Sequence, residues 1–176
     1  MMANASRDPY WQAAVRRETL DHPQARAHIQ DECAACHMPM ARYQAHVQGK
    51  ETSVFSLLPT LAKQSPSALW AADGVSCTLC HQIRSRNLGK AESFTAGFMI
   101  GTQKSLGQRP VFGPFTVDSG RTRVMQSAGR FIPTRGLHMQ EAGLCGSCHT
   151  LYTHTRGPDG NIIGQLPEQV PYPEWR

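Results

Sequence analysis

Apolar positions in the first third of the chain recur every three to four residues, the period of a helix with one buried face. In "SRDPYWQAAVRRETLDHP" Asp8 is a natural N-cap and Pro9 fits the first turn, with Trp11, Val15 and Leu20 set to share one side. Pro23 ends that helix or opens the next, which the pattern carries through "QARAHIQDECAACH" to His37. After the "MPM" break, "ARYQAHVQGKETSVFSLLPTLAKQ" starts helical and loosens in its middle, and "SPSALWAADG" predicts a short helix from about Pro66 to Ala72 with a serine cap and a glycine stop. From Gly97 to Gly136 the periodicity breaks up and glycine becomes frequent, which predicts an irregular, partly β insertion. Within it "PFTVDSGRTRVMQS" reads as a hairpin turning at Asp118, Ser119 and Gly120 between alternating arms. Helix returns around "GLHMQEAGLCGSCHTL", and "GPDG" at 157 to 160 separates two extended runs. The expected fold is therefore mainly α, with long irregular loops and a small β-hairpin insertion, in a single domain spanning 1–176.

Composition adds a difficulty. Fifteen glycines and twelve prolines in 176 residues, with aromatics at 7%, leave little material for an aliphatic core. Something other than side chains is expected to fill part of the interior. The formal charge of +5 is spread over separated arginines without a block of five like charges, which argues against a nucleic-acid partner. No run of eighteen apolar residues predicts a membrane span. The opening "MMANASRDPYWQ" lacks the basic and apolar regions of a secretory signal, so an export signal is expected to be absent from this chain. The final "PYPEWR" reads as a helix start cut short.

The cysteines resolve the difficulty. "CAACH" at Cys33, Cys36 and His37 recurs as "CTLCH" at Cys77, Cys80 and His81 and as "CGSCH" at Cys145, Cys148 and His149, which uses all six cysteines. Two cysteines at this spacing can tether the two vinyl groups of one haem by thioethers, and the adjacent histidine then reaches the iron. Three competing readings fit less well. Zinc needs four ligands, so three pairs leave one over, and it has no use for a histidine directly after every second cysteine. A redox dithiol is expected once, not three times. A disulfide within CxxC closes a short, strained loop and stabilises little. Three covalent haems c are therefore expected, with porphyrin plates supplying core and arginines offsetting propionates.

The sixth position of each iron separates carriers from catalysts, since a second histidine saturates the metal and an open position invites substrate. His138 lies seven residues before Cys145, two helical turns away, and would project from the same face of a continuous helix. His46 follows the first motif by nine residues, and His22 sits at the junction of the first two helices. These three are the preferred distal ligands. His28 and His154 are further candidates, although a packing or solvated role suits both. Met40 and Met125 are plausible axial sulfurs among Met38, Met99 and Met139, with core filling as the ordinary alternative.

With the anchors placed, the chain resembles the bacterial multihaem c-type cytochromes, including those related to the hydroxylamine-oxidoreductase and tetrahaem cytochrome group. The stretches that carry the likeness are "MMANASRDPYWQAAVRRE", "CAACHMPM", "DGVSCTLCHQI", "FGPF", "LCGSCHTLYT" and "LPEQVPYPEW". The resemblance implies a trihaem portion or truncated member, in which "PYPEW" would lead on to further motifs. It also implies electron transfer in the periplasm or outside the cell, with redox proteins, other multihaem cytochromes or identical subunits as partners. Catalytic members carry a dedicated open haem, and neither a lysine-for-histidine anchor nor a tyrosine for cross-linking stands out here. The expected activity is electron carriage rather than catalysis. Reduction of a small oxyanion at one open haem, or assembly as a protomer of a conductive filament, are the alternatives.

Overall fold

A computed structural model describes residues 2–58 and 65–176. The looser stretch expected after the first motif falls partly on residues 59–64, outside the described residues. Helix is the dominant element, covering about half of the chain, with a few short strands in two small sheets. Among the described residues no helix is long and apolar enough to cross a membrane. Within the span read as one domain, packing groups the chain into two compact units: residues 1–76 with 153–166, and residues 77–152 with 167–176.

The first unit is helical over its described residues up to Ser76 and takes strand residues from 153–166. Helix α1 spans Pro9–Asp21, and the Asp8 side chain accepts from the Tyr10 N–H at 2.9 Å, so the proline start and its cap are as expected. Its buried face is Trp11, Val15 and Thr19 at strict i, i+4 spacing; Leu20, expected on that face, is exposed because it lies one residue around the helix from Thr19. A 3₁₀ turn at Pro23–Ala25 leads into α2, Arg26–His37. The "MPM" break is a single residue. Met38 leaves helical geometry at φ −132° and ψ 47°, and Pro39 opens α3, Pro39–Val47, as its first residue. Met38 is fully buried with Trp11, Val15, Ala34, Ala41, Val54 and Ala71. Its burial contributes roughly 1.5–3 kcal/mol. Two short helices complete the layer: α4, Val54–Leu57, and α5, Pro66–Ala72, the latter capped by the Ser65 hydroxyl accepting from the Ala68 N–H at 3.2 Å.

Helix α2 buries polar residues as well as alanines. Gln30 accepts from the Ser53 hydroxyl at 3.1 Å and from the Phe55 N–H at 3.2 Å. Asp31 accepts from the Thr52 N–H at 2.8 Å, from Arg42 at 3.1 Å and from His46 Nε2 at 2.8 Å. These bonds tie α2 and α3 to the loop before α4. The pairing outweighs the desolvation that burial imposes on a carboxylate.

The second unit contains α6, Cys77–Cys80, strand β1, Arg109–Gly113, helix α7, Ser119–Gly129, strand β2, Phe131–Arg135, helix α8, Ala142–Gly146, and α9, Pro171–Trp175. The stretch read as a hairpin is a helix. Asp118 is its N-cap, accepting from the Arg121 N–H at 2.9 Å, and β1 and β2 on either side pair in parallel from Arg109 with Phe131 to Gly113 with Arg135. Parallel strands need a crossover, and α7 provides it. Strands β3, Leu151–Arg156, and β4, Ile162–Gln169, form the other sheet across the expected turn, where the Gly157 N–H donates to the Asn161 carbonyl at 2.9 Å.

Candidate functional site

The first CxxCH segment closes α2. One helical turn brings Cys33, Cys36 and His37 close together, and the Met38 break releases the chain directly after the histidine. The imidazole of His37 stacks on Trp11, ring centroids 4.3 Å apart and planes within 5°, and its Nδ1 donates to the Ala5 carbonyl at 3.2 Å. Burial lowers its pKa, against the opposing effects of that carbonyl and of Asp8. A neutral ring with its proton held on Nδ1 leaves the lone pair on Nε2.

The second segment makes the same arrangement with different material. His81 follows α6, and its Nδ1 donates to the Phe112 carbonyl in β1, while the Phe112 N–H donates to the His81 carbonyl at 2.7 Å. His138 lies beside this pair. It is buried, its Nε2 donates to the Ile83 carbonyl at 2.9 Å, and the Phe112 ring meets it edge-on at 5.0 Å. The expectation of a continuous helix from His138 to Cys145 is not met. His138 belongs to a 3₁₀ turn, Leu137–Gln140, and the extended Glu141 separates it from α8. Tertiary packing, not helical phase, sets the histidine against Ile83 and Phe112.

The third segment runs off α8, with His149 exposed. Gly146 lets Tyr172 of α9 pack against it: a Cβ there would lie 2.7 Å from the Tyr172 ring. One short stretch sutures the second and third segments. The Thr95 N–H donates to the Thr150 carbonyl at 2.8 Å and the Ala96 N–H to the Ser147 carbonyl at 2.7 Å. A few residues on, the Met99 carbonyl accepts from the Arg84 N–H at 2.8 Å and Ile100 bridges to Ile83. Thr95 and Ala96 hold φ of 54° and 58°, a left-handed conformation costing about 1–2 kcal/mol per residue. Such strain persists only where surrounding contacts enforce it.

The six thiols are unbridged, Cys77 and Cys145 exposed and the others half-buried. Burial, and then the charges of Cys148, Cys145 and Cys77, push the Cys80 thiol up, so the pairs of the second and third segments are near enough to sense one another. They do not close into a zinc site. A tetrahedral thiolate site with bonds of about 2.3 Å has sulfur–sulfur edges of roughly 3.8 Å. Among the described residues no three cysteine sulfurs come within 4.8 Å of one another.

The remaining candidates are distributed as follows. His46 gives Nε2 to Asp31, at 2.8 and 2.9 Å from its two oxygens. Asp31 is held below the ordinary carboxylate range: burial would raise it, but the bonds from His46 and Thr52 and the charge of Arg42 prevail. His22 is exposed at the end of α1, 4.0 Å from Glu18. Met40 Sδ accepts from the Ser76 hydroxyl at 2.9 Å, Met125 is exposed on α7, and Met38 is core. His28 and His154 meet at Glu32, each 3.4 Å from one of its oxygens. The role of Phe112 was not apparent from sequence, since nothing in "FGPF" marks its carbonyl as the partner of a histidine far along the chain.

No protein-family model matches this chain, and no curated protein or solved structure does either.

Proposed function

We propose that the protein is a trihaem c-type cytochrome that transfers single electrons, with haems tethered at Cys33 and Cys36, Cys77 and Cys80, and Cys145 and Cys148. The carrying observation is the way the first two motif histidines are held. His37 and His81 both turn Nδ1 into a backbone carbonyl, the second-sphere bond that fixes a metal-bound imidazole and leaves Nε2 to the metal. Six unbridged thiols, with no three gathered as zinc would gather them among the described residues, agree with thioether attachment. Bound haem would supply an iron that takes up and releases one electron at a time.

The rest of the task falls to the chain. The cysteines fix each ring edge, and His37, His81 and His149 serve as proximal ligands. Trp11 holds the first imidazole in plane, and Phe112 holds the second. His138 is the distal ligand best prepared for the role: buried, and with Nε2 on Ile83 it carries its lone pair on Nδ1. His46 and His22 remain the other preferred distal ligands, although His46 would first have to part from Asp31. Large apolar side chains left exposed, among them Tyr10, Phe115 and Trp175, suit a protein whose interior is completed by porphyrin or by partners. The reading carries with it export to the periplasm or beyond and electron exchange with other redox proteins, other multihaem cytochromes or further copies of the chain.

The test is a pyridine haemochrome assay with intact mass on mature protein from a host that matures cytochromes c. Three haems per chain are expected, and low-spin spectra unmoved by cyanide or nitric oxide. Colourless protein of unmodified mass would sink the reading, and cyanide binding at one iron would replace carriage with catalysis at an open haem.

A further inference from the structure

A second centre is set apart from the thiols. His28 and Glu32 stand one turn apart on the same face of α2, and His154 of β3 approaches them within the first unit. His28 Nε2 lies 3.4 Å from Glu32 Oε2, and His154 Nδ1 lies 3.4 Å from Glu32 Oε1. The three ligand atoms all fall within 4.8 Å of one another. Both nitrogens are shielded from solvent, and neither makes a hydrogen bond. A buried imidazole nitrogen left without a partner is costly, so the arrangement lacks something.

Distances decide what is missing. A charge-assisted bond from imidazole to carboxylate closes to about 2.7–2.9 Å, shorter than either separation here. Ligands sharing a tetrahedral zinc at about 2.0–2.1 Å sit roughly 3.3 Å apart along each edge. Each His–Glu separation is close to that edge, each taken to a different oxygen of Glu32, and the three ligand atoms lie within 4.8 Å of one another. The carboxylate offers one oxygen to each ring, and both rings turn a nitrogen toward the gap.

The geometry points to a mononuclear site for a divalent transition-metal ion of the zinc class, formed by His28, Glu32 and His154, with a fourth position left to water. Two imidazoles and one carboxylate are a borderline donor set that suits zinc and its neighbours and does not suit calcium or magnesium. Arg156, on the same face of β3, donates from its guanidinium Nη1 to the Gly160 carbonyl at 2.6 Å, and its Nε is buried without a hydrogen-bond partner. This site uses none of the six cysteines and does not depend on thioether attachment.

The test uses the full mature chain stripped with EDTA and titrated with zinc ion by calorimetry, with metal content read by mass spectrometry. One tightly bound zinc per chain is expected. Glu32→Gln and His154→Ala should each weaken it by at least about a hundredfold, with the absorption spectrum and the melting of metal-free protein unchanged. Absence of a zinc equivalent in the wild type, or its retention at full affinity in both variants, would overturn the site. A change in His154→Ala from low-spin to high-spin absorption, without loss of zinc, would also overturn it by making His154 a haem ligand. Should Glu32→Gln fail to fold, His28→Gln gives the same reading.

Discussion

Phe112 and His81 are joined twice: the strand residue gives its N–H to the histidine carbonyl at 2.7 Å and takes the histidine Nδ1–H on its own carbonyl. A segment read from sequence as irregular thereby orients the imidazole of the second motif. Its ring also braces His138 from the edge. Replacing Phe112 with alanine keeps both backbone bonds and removes the brace. We expect a loss of about 2 kcal/mol, below the usual cost for a fully buried ring because Phe112 is half-buried. Chemical denaturation measures it, and an unchanged midpoint would show that the ring contributes nothing.

Gly136 guards the other side of His138. A Cβ there would lie 2.6 Å from the His138 Cε1, 2.9 Å from its Nδ1 and 3.2 Å from the Phe112 Cβ. Gly136→Ala should push the imidazole away from the Ile83 carbonyl at a cost of about 1–3 kcal/mol. Under the haem reading it should also alter the electron paramagnetic resonance signal of one iron and leave the other two as they were.

Asp31 makes stability depend on pH. Its folded pKa lies below that of the unfolded chain, about 3.9. The contribution is therefore complete above the unfolded value and disappears as pH falls through the folded one. Asp31→Asn should cost about 1–3 kcal/mol at neutral pH by removing the negative charge and one of the two acceptor oxygens that His46, Arg42 and Thr52 share. It should also flatten the fall in stability below about pH 5. Denaturation midpoints of the two proteins from pH 7 to 3 check both statements; parallel curves would contradict the second.

Arg130 ends α7 in the left-handed region, φ 58° and ψ 26°, with its N–H on the Gln126 carbonyl at 2.8 Å and its side chain exposed. Glycine is the residue that adopts this cap without a Cβ clash. Arg130→Gly should stabilise the protein by about 0.5–1 kcal/mol, the relief exceeding the added freedom of the unfolded chain. A urea midpoint below that of the wild type would refute this.

Local chemistry decided which parts of the fold could be read in advance. The starts of α1 and α5 were legible because Asp8 with Pro9 and Ser65 with Pro66 act within one turn. Helix α7 was not, because Asp118-Ser119-Gly120 serves equally as a turn and as a cap, and the choice rests on β1 pairing with β2 across the intervening helix. The three CxxCH segments are visible in one line of sequence. The carbonyls that orient two of their histidines are not, since Ala5 and Phe112 stand 32 and 31 residues from their partners. His28 and Glu32 share a helical face that sequence can reveal, whereas His154 joins them from β3, where periodicity is silent.

The six residues from Thr95 to Ile100 grip the second segment near Ile83 and the third near Ser147 almost wholly through main-chain atoms. Side-chain replacements inside the motifs therefore leave the gauge between those two sites unaltered. Under the haem reading, what each segment holds can be retuned by evolution or engineering while the spacing between the two segments is kept.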